Sequence, residues 1–191
     1  MGNDSLKSII KNRRTTRQFI KKAIPQEQMK DLVWAAYGHT HTYKDMKMRT
    51  APSPGAKYAV DIFVSLERVD GIQDGIYVYD TAIEDLRLVK AGEFHDLLCV
   101  AALDQKFFAV SNVNIYMVYN PSRIVPDYGS NAAKYSAMEC GHIGQNVLLM
   151  ATSLGLGAVP VGAFDSNAIN DMLGLAEGRE TVYIISIGAI S

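Results

Sequence analysis

No stretch of these 191 residues approaches the roughly 20 uninterrupted apolar positions that a membrane-spanning helix needs. The opening MGNDSLKS, Met1 to Ser8, has no apolar core of the kind that drives secretion, so the expected location is cytoplasmic. An excess of one charge is also missing. Lys and Arg number 19 against 20 Asp and Glu, for a formal net charge of −1, which argues against a nucleic-acid or anionic-membrane surface, since either needs clustered basic residues. Cysteine is scarce: Cys99 and Cys140 lie within helical patterns with no CxxC spacing, and read as free, buried thiols rather than a disulfide. His39 and His41 alternate as metal ligands can, but no carboxylate or third histidine stands at a supporting distance, so no metal is placed there. Repeats, low-complexity runs and linkers are absent as well. With 48% hydrophobic residues the chain is long enough for one sizeable core, and a single domain over 1–191 is expected.

What is present centres on Tyr135 to Asp165, YSAMECGHIGQNVLLMATSLGLGAVPVGAFD. Met138, Ile143, Val147, Leu148, Met150, Ala151 and Leu154 put apolar groups on nearly every face of one helix, which predicts a buried rod. Glu139, His142 and Asn146 form a polar stripe along it, and buried polar groups require partners. Gly155 or Gly157 should end the helix. In the AVPVGAF that follows, Pro160 confines the strand to an edge or a bulge, and Gly162 allows close approach to bare backbone.

Elsewhere the periodicities predict a short helix from Ser5 to Lys11 and a helix opened by Pro25 and closed by Gly38. His39 to Thr50 is aperiodic and reads as a loop, a candidate cover over a substrate site. Tyr58–Leu66, Ile76–Asp80 and Asp85–Val89 read as a meander of strands, Glu93–Ala109 as a helix and Asn114–Tyr119 as a buried strand. Ser166 should cap a helix closed by Gly174, before an apolar strand from Thr181 to Ile190.

Two further stretches bear on chemistry. RRTTRQF places Arg13, Arg14 and Arg17 around Thr15 and Thr16, a composition suited to gripping phosphate, or equally a solvated basic turn. APSPGAKY, Ala51 to Tyr58, has prolines that fix a turn while Ser53 and Gly55 leave hydroxyl and backbone available.

Together, R-R-[ST]-x-R-x-F, P-S-x-G-[AG]-x-Y and the run E-x-G-H-I-G-Q-N with L-G-L-G-A-V-P-V-G-A-F resemble, in order, the FMN-dependent nitroreductase superfamily, closest to its SagB-type dehydrogenase branch. The resemblance implies an α+β fold of nitroreductase type: a central, mostly antiparallel sheet of about four or five strands flanked by helices, in a homodimer with FMN at each of two interfacial sites. It implies that Arg13 and Thr15 contact the FMN phosphate, with Arg14 near the phosphate or ribityl chain. Arg17 would lie at the pyrimidine edge, near N1 and O2. Pro52, Ser53 and Gly55 would line the pyrimidine side, with Arg49 a further contact. Pro160, Val161, Gly162 and Ala163 would lie against the isoalloxazine, a backbone N–H near Gly162 or Ala163 facing N5. The chain ends at Ser191 without the basic residues that complete the phosphate site in many relatives. The resemblance then implies that the three arginines suffice, that help comes from elsewhere, or that binding is weaker.

The implied activity is ping-pong oxidoreduction: NAD(P)H gives hydride to flavin N5, and a small electron-poor acceptor such as a nitroaromatic or quinone takes the electrons. No side chain is assigned as an acid or base, because the flavin carries the chemistry. A second reading is peptide azoline oxidation, for which the SagB-type branch uses a Lys-Tyr pair; Asp127-Tyr128 occupies that position, with Lys134-Tyr135 close by. A third is a non-catalytic flavin-binding protein. The polar stripe of the central helix is expected to meet its counterpart across a two-fold axis.

Overall fold

The computed structural model describes residues 5–191, so the first half of the Met1–Ser8 reading lies outside the described residues. Helix α1 (Leu6–Asn12) is capped by Ser5, whose hydroxyl accepts the Ser8 amide at 3.4 Å. Helix α2 (Gln26–Tyr37) begins after Pro25 and ends at Gly38, as expected. The next segment departs from expectation. His39–Thr50 is no loop: strands β1 (His39–Tyr43) and β2 (Met46–Arg49) pair antiparallel. Lys44 and Asp45 both take positive φ, 47° and 63°, which matches the two-residue turn whose twist suits a hairpin. Periodicity missed it because the two strands are only five and four residues long and the ribbon is exposed along most of its length.

Strands β3 (Val60–Leu66), β4 (Gly75–Asp80) and β5 (Asp85–Ala91) form the expected meander. Helix α3 (His95–Ala101) stops short of the predicted span because Leu103 and Asp104 both adopt left-handed φ, 59° and 58°, which a right-handed helix cannot continue through. Strand β6 (Val113–Tyr119) follows, and a short helix, α4 (Val125–Tyr128), interrupts the connection to the long helix α5 (Ala132–Ser153). Gly155, at φ 71°, closes the turn into β7 (Gly157–Val161). Helix α6 (Ser166–Leu173) is capped by Asp165 rather than Ser166, the carboxylate accepting the amides of Asn167 and Ala168. Strand β8 (Glu180–Gly188) completes the fold.

The main sheet has the order β5-β4-β3-β6-β8-β7, and every neighbouring pair is antiparallel. It has six strands, not four or five, because β7 pairs along its whole length with β8 despite Pro160, which an edge position tolerates. Both faces of the inner strands are buried. Val113, Ile115 and Met117 of β6 join Ile185 and Ile187 of β8 under α2 and α5. Tyr116, Val118 and Ile184 face the opposite layer with α3 and α6. That explains why these strands are apolar at nearly every position. The result is an α+β fold with the sheet between two helical layers.

Helix α5 departs from its prediction in an instructive way. Ile143, Val147, Leu148 and Ala151 are buried, but Ala137, Met138, Gly141, His142 and Gln145 form an uncovered strip. Alanine, methionine and glycine count as apolar in a periodicity analysis without requiring burial. The polar stripe is also divided. Glu139 is fully buried, Asn146 donates to the Thr50 carbonyl at 3.1 Å, and His142 is exposed, so two of the three find partners inside the chain. Cys140 is buried and free, its thiol pushed up to about 12 by burial and then by the charge of Glu139; Cys99 is free and half-buried. Among the described residues no helix is long and apolar enough to cross a membrane.

Candidate cofactor site

The RRTTRQF segment leaves α1 in extended form and runs along the outer edge of β7. Thr15 bridges Ala158 in parallel, the Thr16 amide donates to the Ala158 carbonyl at 2.9 Å, and the Ile20 amide donates to Ala189 at 2.9 Å. Phe19 pins the strip: its ring packs over Gly157 and Gly188, which face each other across β7 and β8. Arg13 is half-buried and Arg17 exposed, and among the described residues neither guanidinium has a hydrogen bond or ion pair. Arg14 is occupied. Its Nη1 donates to the carbonyls of Lys11 at 2.7 Å and Arg13 at 2.9 Å, closing the C-terminus of α1.

The same edge continues into the predicted Pro160–Ala163 platform. Pro160 is half-buried and Val161 is buried in the core beneath α6, so Val161 offers backbone rather than side chain. Gly162 and Ala163 are exposed, and a Cβ built on Gly162 would meet nothing within 4 Å. Beside them lies a groove of about 310 Å³ lined by Tyr119, Ala133, Gly162, Phe164, Thr181 and Val182 among others. Thus the strip and the platform, distant in sequence, share one strand edge.

The third predicted group, Pro52, Ser53 and Gly55, is held against a different part of the structure, α5 at Glu139. Pro52 and Gly55 are exposed, and Gly55, at φ 54°, has the Tyr128 hydroxyl 2.6 Å from where a Cβ would stand. Ser53 Oγ accepts the Tyr58 amide at 2.8 Å and donates to Glu139 Oε2 at 2.7 Å. Tyr37 donates its hydroxyl to the other oxygen, Oε1, at 2.5 Å. Burial raises the Glu139 pKa, and the two hydrogen bonds pull it back down; burial, then Glu139 itself, holds the Tyr37 phenol well above its ordinary value. Arg49 lies over both the Tyr37 and Tyr58 rings, 4.9 and 5.1 Å from their centroids, and donates to the Tyr37 carbonyl at 3.1 Å. Its head is therefore engaged within the chain. Sequence reasoning saw Glu139 only as part of a stripe; the P-S loop and Tyr37 as its partners had no local signal, being 86 and 102 residues away. Asp127 forms an ion pair with Lys57, Oδ2 to Nζ 2.6 Å.

These residues fit a flavin carrying one phosphate. Among the described residues two guanidinium groups without partners and the Thr15 hydroxyl stand on the strip, and the β7 edge that Thr15 bridges leads on to the exposed backbone of Gly162. Neither group demands a second nucleotide.

The nitroreductase family model matches residues 10–189. A Methanocaldococcus jannaschii protein named as a nitroreductase is 35% identical over 172 residues, covering 90% of this chain and 85% of its own. The crystal structure of a protein from Ralstonia eutropha, also named as a nitroreductase, superposes with a TM-score of 0.85 at 26% identity, over 98% of this chain and 84% of that one. The NADPH:FMN oxidoreductase of Vibrio harveyi, complexed with NAD+, superposes with a TM-score of 0.71 at 20% identity, over 97% of this chain and 69% of that one, a likeness of fold.

Proposed function

The chain belongs to the nitroreductase family, and on that premise we propose an FMN-dependent oxidoreductase that takes electrons from NAD(P)H and passes them to an electron-poor acceptor such as a nitroaromatic or quinone. Bound FMN supplies the hydride chemistry. The protein's residues bind it, orient it and bias its charge. Arg13 and Thr15 hold the phosphate; with Arg14 committed to the end of α1, the half-buried Arg13 is the principal cation. Arg17 would hold the pyrimidine edge, where a fixed cation would stabilise the added negative charge. Pro160, Val161, Gly162 and Ala163 would give the ring a platform of backbone with an N–H to offer it, and Pro52, Ser53 and Gly55 would hold its pyrimidine side.

The observation that carries this reading is the arginine-bearing strip, fastened at Thr15 and Thr16 to the β7 edge that leads on to exposed Gly162. The Vibrio harveyi relative, an NADPH:FMN oxidoreductase by name, supports the choice of donor and cofactor. Asp127, paired with Lys57, stands where the azoline-oxidising branch carries its lysine, which favours small acceptors; Lys134 beside Tyr135 keeps the peptide reading as the alternative. The uncovered strip of α5, whose small residues at Ala137 and Gly141 permit close approach of a second copy, supports a homodimer. Acid extraction and chromatography of the purified protein test the cofactor: FMN is expected, FAD would remove the single-phosphate reading, and a colourless protein that FMN cannot reconstitute would remove the cofactor itself.

A further inference from the structure

Ser53 has one proton and two lone pairs to distribute. One lone pair is taken by the Tyr58 amide, and the neighbour on its other side is the buried carboxyl of Glu139, at 2.7 Å. When Glu139 is ionised, Ser53 must spend its proton on Oε2, and what remains is a single lone pair. When Oε2 carries a proton, that proton goes to Ser53 Oγ and fills the second lone pair, and the Ser53 proton is released to point elsewhere. Tyr37 donates to Oε1 in both cases and, with its phenol held far above its ordinary pKa, does not compete for the charge.

We propose that Glu139 is a positioning residue of the cofactor site, whose carboxyl holds the Pro52–Gly55 loop and decides whether the Ser53 hydroxyl offers the flavin's pyrimidine edge an acceptor or a donor. The proposal rests on the FMN reading above and adds to it a group outside the direct contacts.

The holding role has its own support. Gly55, Ala56 and Tyr58 all take left-handed φ, at 54°, 51° and 50°, and two of them are not glycine. Such a segment persists only where its surroundings over-determine it. Ser53 supplies that with bonds to both Tyr58 and Glu139, and the rings of Tyr37 and Tyr58, edge to face at 5.8 Å with Arg49 over each, close the cage. The charges that bear on the carboxyl are few. His142 on α5 and Arg123 favour its ionised form, Arg49 reaches it only through Tyr37, and burial, the largest influence, favours the neutral one. A carboxyl so placed changes charge at a higher pH than an exposed one.

A donor facing a pyrimidine carbonyl stabilises the more electron-rich, reduced ring, so the flavin potential should be higher below the Glu139 pKa and lower above it. Glu139→Gln tests this, because an amide can donate to Ser53 and accept from Tyr37 at every pH and so locks the donor state. In wild type the potential against pH should show an added downward step; in Glu139→Gln the step should vanish with the potential held on the upper branch, and Ser53→Ala should lose the step as well. Amide hydrogen exchange on the cofactor-free proteins supplies a second reading. Exchange at Tyr58 should quicken by about ten- to a hundred-fold in Glu139→Ala, the loss expected of a hydrogen bond to a charged group, and be restored by Glu139→Gln. A flavin-loaded protein whose potential follows the same course in wild type and Glu139→Gln would overturn the proposal and leave the oxidoreductase reading standing. Failure to bind flavin at all would overturn both.

Discussion

Phe19 lies across Gly188: a Cβ on that glycine would stand 2.6 Å from the ring's Cγ, and one on the facing Gly157 would stand 3.1 Å from its Cε1. An aromatic anchor seated on paired glycines is what keeps the arginine strip on the sheet edge. Gly188→Ala should therefore lift Phe19, cost about 1–3 kcal/mol as overpacking does, and weaken FMN binding although residue 188 touches no ligand. Thermal unfolding and flavin titration of this variant measure the two effects; unchanged FMN affinity in a destabilised protein would separate the strip from the cofactor.

Arg13 and Arg17 should fail in different ways. In the proposed site the first would face a phosphate whose charge does not change during turnover, the second a ring whose charge does. Arg13→Ala is expected to weaken FMN binding with little change in potential, and Arg17→Ala to lower the potential more than the affinity. Potentiometry and binding on both variants compare them, and equal potentials in wild type and Arg17→Ala would take that residue from its role.

The uncovered strip of α5 makes a separate prediction. Met138 is 51% exposed in the single chain, whereas Val147, farther along the helix, is in the chain's own core. A charge at Met138 thus reports on association alone. Met138→Glu should bury an unpaired carboxylate between subunits at a cost on the order of 3–5 kcal/mol. Sedimentation followed at protein and flavin wavelengths should show monomer and free flavin appearing together. A stable dimer in this variant would move the interface elsewhere.

On the far side of the sheet, His95 is 1% exposed, with Nδ1 3.1 Å from the Ser111 carbonyl and 3.7 Å from Glu67. Burial lowers its pKa against the upward pull of Glu67, with Arg68 adding to the lowering. A histidine whose folded pKa is depressed binds fewer protons folded than unfolded near its ordinary value. Its contribution is therefore complete above about 6.5 and is lost as pH falls from there through the lower folded value. Melting temperature should drop over that window in wild type, and less steeply in His95→Asn; parallel curves would place the pH dependence elsewhere.

How much of this was legible beforehand depends on where each signal resides. The arginine cluster, the P-S loop and the Pro160–Ala163 turn are contiguous motifs, and α2, β6 and β8 announce themselves by local periodicity. The β1–β2 hairpin did not, because its strands are short and largely exposed and only the backbone of Lys44 and Asp45 declares the turn. Glu139 was visible as a polar residue on an apolar helix. Its partners were not, because Tyr37 and Ser53 reach it through tertiary packing that no spacing encodes. The occupied guanidinium of Arg14 is likewise a matter of side-chain direction, which the motif leaves open.

The central claim is that this family member moves electrons through a bound FMN held by the strip and the platform. Anaerobic titration of the flavin-loaded protein with NADH and with NADPH tests it most directly. The account predicts that at least one of them bleaches the flavin absorbance stoichiometrically, and that a quinone or nitroaromatic then restores it with the flavin still bound. Bound flavin that neither nucleotide can reduce would contradict it and leave a protein that holds FMN without turning it over.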